Sequence, residues 1–368
     1  MKTRPLKLWL TAALAIPFLM TAALAQTVST SLANLPEADM LIYISPQKVL
    51  NDAAPRVMSE KDIAGMRGAF AEMKTSVGFD PSTVDYLVFA LRFHKPAGDL
   101  SFVAPDVMAV IGGDFSADSL FSLAQLTLQD RVRIEKYGSK SMAVMRVDPI
   151  AAEAEKMPML KSLIDVGAVP LSANSLAVGN LPYLKSAIDA ADGNGRINPA
   201  LVDSLMRDPN VLMATAGAPL ASFAKAFGLF GTETTPREGT CNTPFGNFYS
   251  AVTINGTNFS VRGAMNADNP DTAKIISSLI SMLMKQGLSA VGDKTMADAM
   301  KMTGAESQMF DTIMKSIKLM PKDNEVVWEA DIPQQAIAEA MKPKPAAKKT
   351  ETKPVVAPRK PVRRKRTR

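Results

Sequence analysis

The chain is poor in the residues from which many catalytic and metal sites are built. It holds one cysteine, Cys241, and one histidine, His94, in 368 residues. A lone cysteine excludes an intramolecular disulfide, so the fold must rest on its core even in an oxidising compartment. Zinc sites made of several histidines or cysteines are excluded within one chain. No G-x-G-x-x-G or P-loop motif occurs, and Gly112-Gly113-Asp114 is too short to replace one. No cofactor or metal is therefore expected. Cys241 lies between Gly239 and Pro244 in a loop-like stretch, where a buried inert thiol is expected and pairing with another chain is the alternative.

Negative charge is nearly absent from one end. Residues 342–368 carry twelve lysines or arginines, five prolines and a single acid, Glu351. The tail is thus +11 and the first 25 residues are +3, while the whole chain is only +6, which leaves −8 on the 316 residues between. Proline and lysine interleaved with alanine, threonine and valine bury too little apolar surface to fold, so this tail is expected to be disordered. In composition it is similar to the basic tails of linker-histone-type proteins. Its bases, Lys342, Lys344, Lys348, Lys349, Lys353, Arg359, Lys360, Arg363, Arg364, Lys365, Arg366 and Arg368, form the candidate site for an anionic surface.

The other end sets the compartment. Met1 to Lys7 is basic, Leu8 to Ala25 is uncharged, and Ala23-Leu24-Ala25 closes the run before Gln26. That order reads as a secretory signal cleaved after Ala25. An N-terminal anchor in the inner membrane is the alternative, since a run of 18 uncharged residues is just long enough to span a bilayer. The expected location is periplasmic or secreted, where the available polyanions are lipid phosphate, lipopolysaccharide and acidic glycans. Nucleic acid is not the expected partner. The uncharged stretch Val166 to Leu184 carries Pro170, Asn174, Asn180 and Pro182, which suit turns rather than hydrocarbon.

The body reads as α+β. Apolar runs predict strands at 40–44, 84–92, 107–111, 132–136, 142–147, 175–178, 211–215 and 325–331. Ile63, Met66, Phe70, Met73 and Val77, spaced 3, 4, 3 and 4, predict a helix that stops at Gly78. Further helices are expected at 182–191, 219–230, 334–341, from Asn269-Pro270 to Gly287, and across the Met-rich 296–320. Tyr249 to Arg262 is expected to be a hairpin turning through Asn255-Gly256 in a type I′ turn. A recurring unit of strand, proline and helix begins at Asp39, Asp208 and Asp323. It suggests two related halves, 26–195 and 196–341, between a signal at 1–25 and the tail at 342–368. Frequent hairpins favour antiparallel sheets with helices packed on one face.

Several motifs imitate chemistry. Asp192-Gly193-Asn194-Gly195 copies the centre of a calcium loop, but Ala190 and Leu201 occupy its first and last ligand positions, so a turn is expected. Ser-x-x-Lys occurs as Ser45-Pro46-Gln47-Lys48 and Ser222-Phe223-Ala224-Lys225, without a Lys-Thr-Gly companion; Lys294-Thr295-Met296 is nearest, and Ser172-Ala173-Asn174 falls in a strand turn. His94, beside Arg92 and Lys95, lacks a nucleophile signature and is expected at the surface; Gly287-Leu288-Ser289-Ala290-Val291 misses the last glycine of one. The late methionines, among them Met296, Met300, Met302, Met309, Met314 and Met320, are expected as core filler, with an apolar groove as the alternative.

Leu35-Pro36-Glu37-Ala38-Asp39 before the first strand and Gly78-Phe79-Asp80-Pro81 after the helix resemble exported bacterial proteins of unknown function. That resemblance implies export and no particular activity. The expectation is a non-enzymatic envelope protein that binds a protein or apolar ligand and is tethered by its tail. An exported hydrolase-like enzyme using a Ser/Lys or carboxylate site is the alternative.

Overall fold

The computed structural model describes residues 28–94, 105–128, 131–148, 150–151, 162–217, 246–287, 312–313 and 315–341. The signal, the tail, the helix expected at 219–230 with Ser222 and Lys225, Cys241, and most of the Met-rich stretch lie outside them. Among the described residues, twelve strands form one sheet: β1 (Met40–Ile44), β2 (Val84–Arg92), β3 (Asp106–Gly113), β4 (Val132–Tyr137), β5 (Lys140–Arg146), β6 (Asp165–Ser172), β7 (Ser175–Asn180), β8 (Met213–Gly217), β9 (Phe248–Asn255), β10 (Asn258–Asn266), β11 (Lys318–Lys322) and β12 (Glu325–Pro333). Their order is β11-β12-β10-β9-β8-β1-β2-β3-β7-β6-β5-β4, and neighbours run antiparallel throughout. The fold is α+β with an antiparallel sheet. Strands before residue 195 fill one side, later strands fill the other, and β1 and β8 join them at the centre.

Helices gather on one face of each stretch of this sheet. Leu32 and Leu35, then Tyr183, Leu184 and Ile188 of the helix Leu181–Ala191, then Leu201, Val202 and Leu205 of the helix Pro199–Leu205, pack on Tyr43, Val88, Val110, Ala177 and Ala214. Burying each large apolar side chain contributes roughly 1.5–3 kcal/mol before entropy is counted. Toward β12 the opposite face is covered. Ala273 and Ile276 of the helix Pro270–Gly287 pack on Met265 and Val326. Ile337 of the helix Gln334–Ala340 packs with Ala53 on Phe259 and Ile332.

Local chemistry explains most elements. The helix Glu60–Val77 starts at Ser59, whose hydroxyl accepts from the Asp62 N–H, and ends at Gly78 in the left-handed region (φ 72°). A side chain at Gly78 would meet nothing within 4 Å, so the backbone angle alone penalises substitution. Gly78→Ala is expected to cost about 1 kcal/mol in a denaturant titration, and an unchanged midpoint would refute this reading of the cap.

Three sequence expectations are corrected. The 255–258 hairpin turns through Gly256-Thr257, since Asn255 pairs with Asn258. Positive φ occurs only at Gly256 (58°), the pattern of a type II′ turn rather than type I′. No strand was expected in the stretch from Val166 before Ser175, yet it holds β6, because its proline sits where the β6–β7 register shifts between Pro170 and Ser172, a place a sheet tolerates proline. The end of the Met-rich segment is strand β11, paired through Leu319 with Trp328.

Candidate functional site

Two neighbouring rows of side chains cross the middle of the sheet. One row, Ala214, Tyr43, Val88, Val110, Ala177 and Val169, follows the cross-strand pairing and is sealed under helices, with none of its members above 6% exposed. The adjacent row points to the opposite face and runs Thr215, Ile42, Phe89, Ala109, Val178 and Ala168. Every member of that second row is only partly buried. None belongs to the three buried clusters. Leu87, Leu91 and Ile111 flank it on the same face, and Val107 is 36% exposed there. An antiparallel sheet that faces water on one side alternates apolar with polar residues. Here both sides are apolar, and the members of the second row are only partly buried.

A polar cluster closes the β2–β3 end on the sealed side. Arg92, the last residue of β2, pairs with Asp106, the first of β3. The Asp106 carboxylate, 2% exposed, accepts from Arg92 Nη2 (2.7 Å) and Nε (3.2 Å), from Asn180 Nδ2 (2.5 Å), and contacts His94 Nε2 (2.6 Å). Burial by itself would raise the Asp106 pKa, but the hydrogen bonds from Arg92, Asn180 and His94 together hold it below the usual carboxylate value. Asn180 Oδ1 in turn accepts the Val107 N–H. The Arg92 guanidinium lies 4.6 Å over the Tyr183 ring, and Tyr183 donates its hydroxyl proton to the Glu37 carbonyl. The Phe93 N–H donates to Asp39 Oδ2.

Two clefts meet at Glu37 and Arg92. One, about 250 Å³, is bounded also by Ser186, Asp189, Asn194 and Gly195. The other, about 470 Å³, is bounded by Asp39, Phe93, Arg196 and Asn198. Charges of both signs face them, which suits small polar groups rather than a hydrocarbon chain. No serine, cysteine or threonine is hydrogen-bonded to His94 among the described residues. Ser186 Oγ instead lies 3.4 Å from the Arg92 guanidinium. The cluster is thus built as a clamp tying two strands to the helix Leu181–Ala191.

Sequence reasoning placed His94 at the surface, and its side chain is 38% exposed there; what that reading missed is that the ring also reaches back to a buried carboxylate twelve residues on. Arg92, Asp106 and Asn180 were missed as a group. Their only sequence signal was a base ending one strand and an acid opening the next. Asp192-Gly193-Asn194-Gly195 is the expected helix-to-helix turn, with positive φ at both glycines. It is stitched to the N-terminal segment through Glu37 N–H to Gly195 O and Ile197 N–H to Leu35 O. The structure does not bring Ser45 and Lys48 together as a nucleophile pair. Ser45 is buried and hydrogen-bonds Tyr43, and Lys48 Nζ donates to the Pro209 carbonyl. Burial lowers the Lys48 pKa. Ser172 Oγ and Asn174 bond each other in the β6–β7 turn, and the basic tail residues lie outside the described chain.

No protein-family model matches the chain, and no curated protein matches it. Solved structures of TP0453 in crystal forms III, I and IV are similar to it at 10%, 8% and 10% identity. Their TM-scores are 0.41, 0.38 and 0.39, over 83–84% of this chain and 94–95% of theirs. At such scores the likeness assigns no site and no activity.

Proposed function

We propose that this is a non-enzymatic, exported envelope protein that binds an apolar ligand of acyl-chain type on the half-open face of its sheet, while its basic tail holds it at an anionic surface. The observation that carries this reading is the second row from Ile42 to Ala168, apolar yet outside every buried cluster. An acyl chain fits a surface of Ile, Leu, Val and Phe that offers few hydrogen-bonding side chains. The tail supports this choice of ligand, because a protein held against lipid phosphate meets acyl chains at high local concentration. The enzymatic alternative is not favoured by the separate engagements of Ser45 and Lys48.

Titration with a fluorescent long-chain fatty acid tests the reading. The wild-type chain should show saturable binding. Phe89→Asp should weaken it at least tenfold, because a charge on the apolar surface must be desolvated by the ligand. Val107→Glu, at a position already 36% exposed, should weaken binding without altering the melting curve. Absence of saturable binding by the wild type, or full binding by both variants, overturns the reading. Capture of an apolar peptide in place of the fatty acid would transfer the face to a protein partner and also overturn it.

A further inference from the structure

A twelve-stranded open sheet has two edges, and the two are built differently. β11 is five residues long, opens and closes on Lys318 and Lys322, and contains Pro321. Lysine and proline are the usual guards against edge-to-edge pairing. β4, Val132–Tyr137, has no proline and no glycine over six residues, and its Ile134 is 49% exposed. Among the described residues, its backbone N–H and C=O groups pair only with β5.

We infer that the β4 edge pairs antiparallel with β4 of a second copy of this chain, in the register that sets Ile134 opposite Ile134. The charges select this register. Two identical strands meeting antiparallel about a two-fold axis perpendicular to the sheet keep like faces together, so each symmetric register centres on one residue. Centring on Arg133, Glu135 or Lys136 would oppose that charge to its own copy. Centring on Ile134 sets each Arg133 opposite the other copy's Glu135, on one face, and brings the two Ile134 side chains together on the other. Opposite charges facing across strands stabilise a pair, and like charges destabilise it. Arg133 already reaches Glu135 (2.8 Å) and Asp165 (3.2 Å) within its own chain, which holds its guanidinium on that face. Ile134 stands in register with Ala143 and Ala168 of the second row, but Ala143 is only 6% exposed, so the pairing concerns the edge itself and not the half-open face.

Sedimentation velocity on the purified chain as processed by the cell tests this directly, and it does not depend on what the half-open face binds. The wild type should form a reversible dimer. Arg133→Glu and Glu135→Arg should each weaken it roughly tenfold or more, since each turns both cross-pairs from attraction to repulsion. Mixing the two variants should restore a heterodimer, because one copy then presents two acids and the other two arginines. Restoration in the mixture also separates loss of pairing from misfolding. A wild type that stays monomeric at high concentration overturns the inference. So does a dimer indifferent to both substitutions, or variants that remain monomers when mixed.

Discussion

Removing residues 342–368 is expected to abolish salt-sensitive binding to anionic vesicles while leaving the body folded. The tail carries twelve bases against one acid. Each lysine or arginine near an anionic surface contributes roughly 1 kcal/mol. If half of them engage at once, the loss is about 6 kcal/mol, on the order of a ten-thousandfold drop in partitioning. Near 0.5 M salt the wild type should approach the truncated form, because the screening length falls to a few ångströms. The net −8 of the residues between signal and tail would repel the same surface once the tail is gone. Vesicles of anionic phospholipid, lipopolysaccharide micelles and a soluble acidic glycan, run in parallel, separate the three sources of negative charge. Equal binding of full-length and truncated chains to all three would refute the tether.

Asp106→Ala should destabilise the body by about 3 kcal/mol. The carboxylate is 2% exposed and takes hydrogen bonds from Arg92, Asn180 and His94. Removing one partner of a buried ion pair usually costs 3–5 kcal/mol, because the charge left behind stays desolvated. Arg92 is 26% exposed at the cleft and can partly rehydrate, which places the expectation at the low end. In a body of this size the melting temperature should fall by about 4–6 °C. Because the Asp106 pKa is depressed in the folded state, its stabilisation is fully present above its ordinary value of 3.8 and is lost as pH falls through the lower folded value. Wild type and variant should therefore converge in stability in strong acid. A change below about 1 kcal/mol at neutral pH, or a difference that persists in acid, would show that the cluster is not a clamp.

Much of the fold was legible because local chemistry agrees with the tertiary result. Val84 to Arg92 reads as a strand from its apolar run, and Gly78 reads as the stop of the helix before it, while the Ser59 cap at that helix's start emerges only in the structure. β6 was not legible, since its proline and flanking asparagines carry turn signals and only the bulge beside Pro170 reconciles them with a sheet. The stripe Ile63, Met66, Phe70, Met73 and Val77 predicted the helix correctly but not its setting. Met73 and Val77 are each 41% exposed, and no residue of that helix is buried. Periodicity reports that a helix has an apolar face, not that anything described covers it.

The candidate site was harder to read for a related reason. Strand registers decide that Ile42, Phe89, Ala109 and Val178 form one row, and residues far apart in sequence carry no pairing signal that a single chain reveals. The Asp106 cluster likewise depends on β2 and β3 meeting at Arg92 and Asp106, and on Asn180 arriving from β7. The Ser-x-x-Lys at Ser45 shows the converse: a pattern with catalytic spacing but no companion motif, whose side chains serve other partners.

Photocrosslinking with a diazirine-bearing long-chain fatty acid tests the binding face most directly. Mass spectrometry of the crosslinked chain should place the label in β1, β2, β3 and β7, on or beside Ile42, Phe89, Ala109 and Val178, and excess unlabelled fatty acid should suppress it. Labelling confined to the exposed helix Glu60–Val77 or to the Glu37 and Arg92 clefts, or spread without competition, would contradict a ligand site on the half-open face of the sheet.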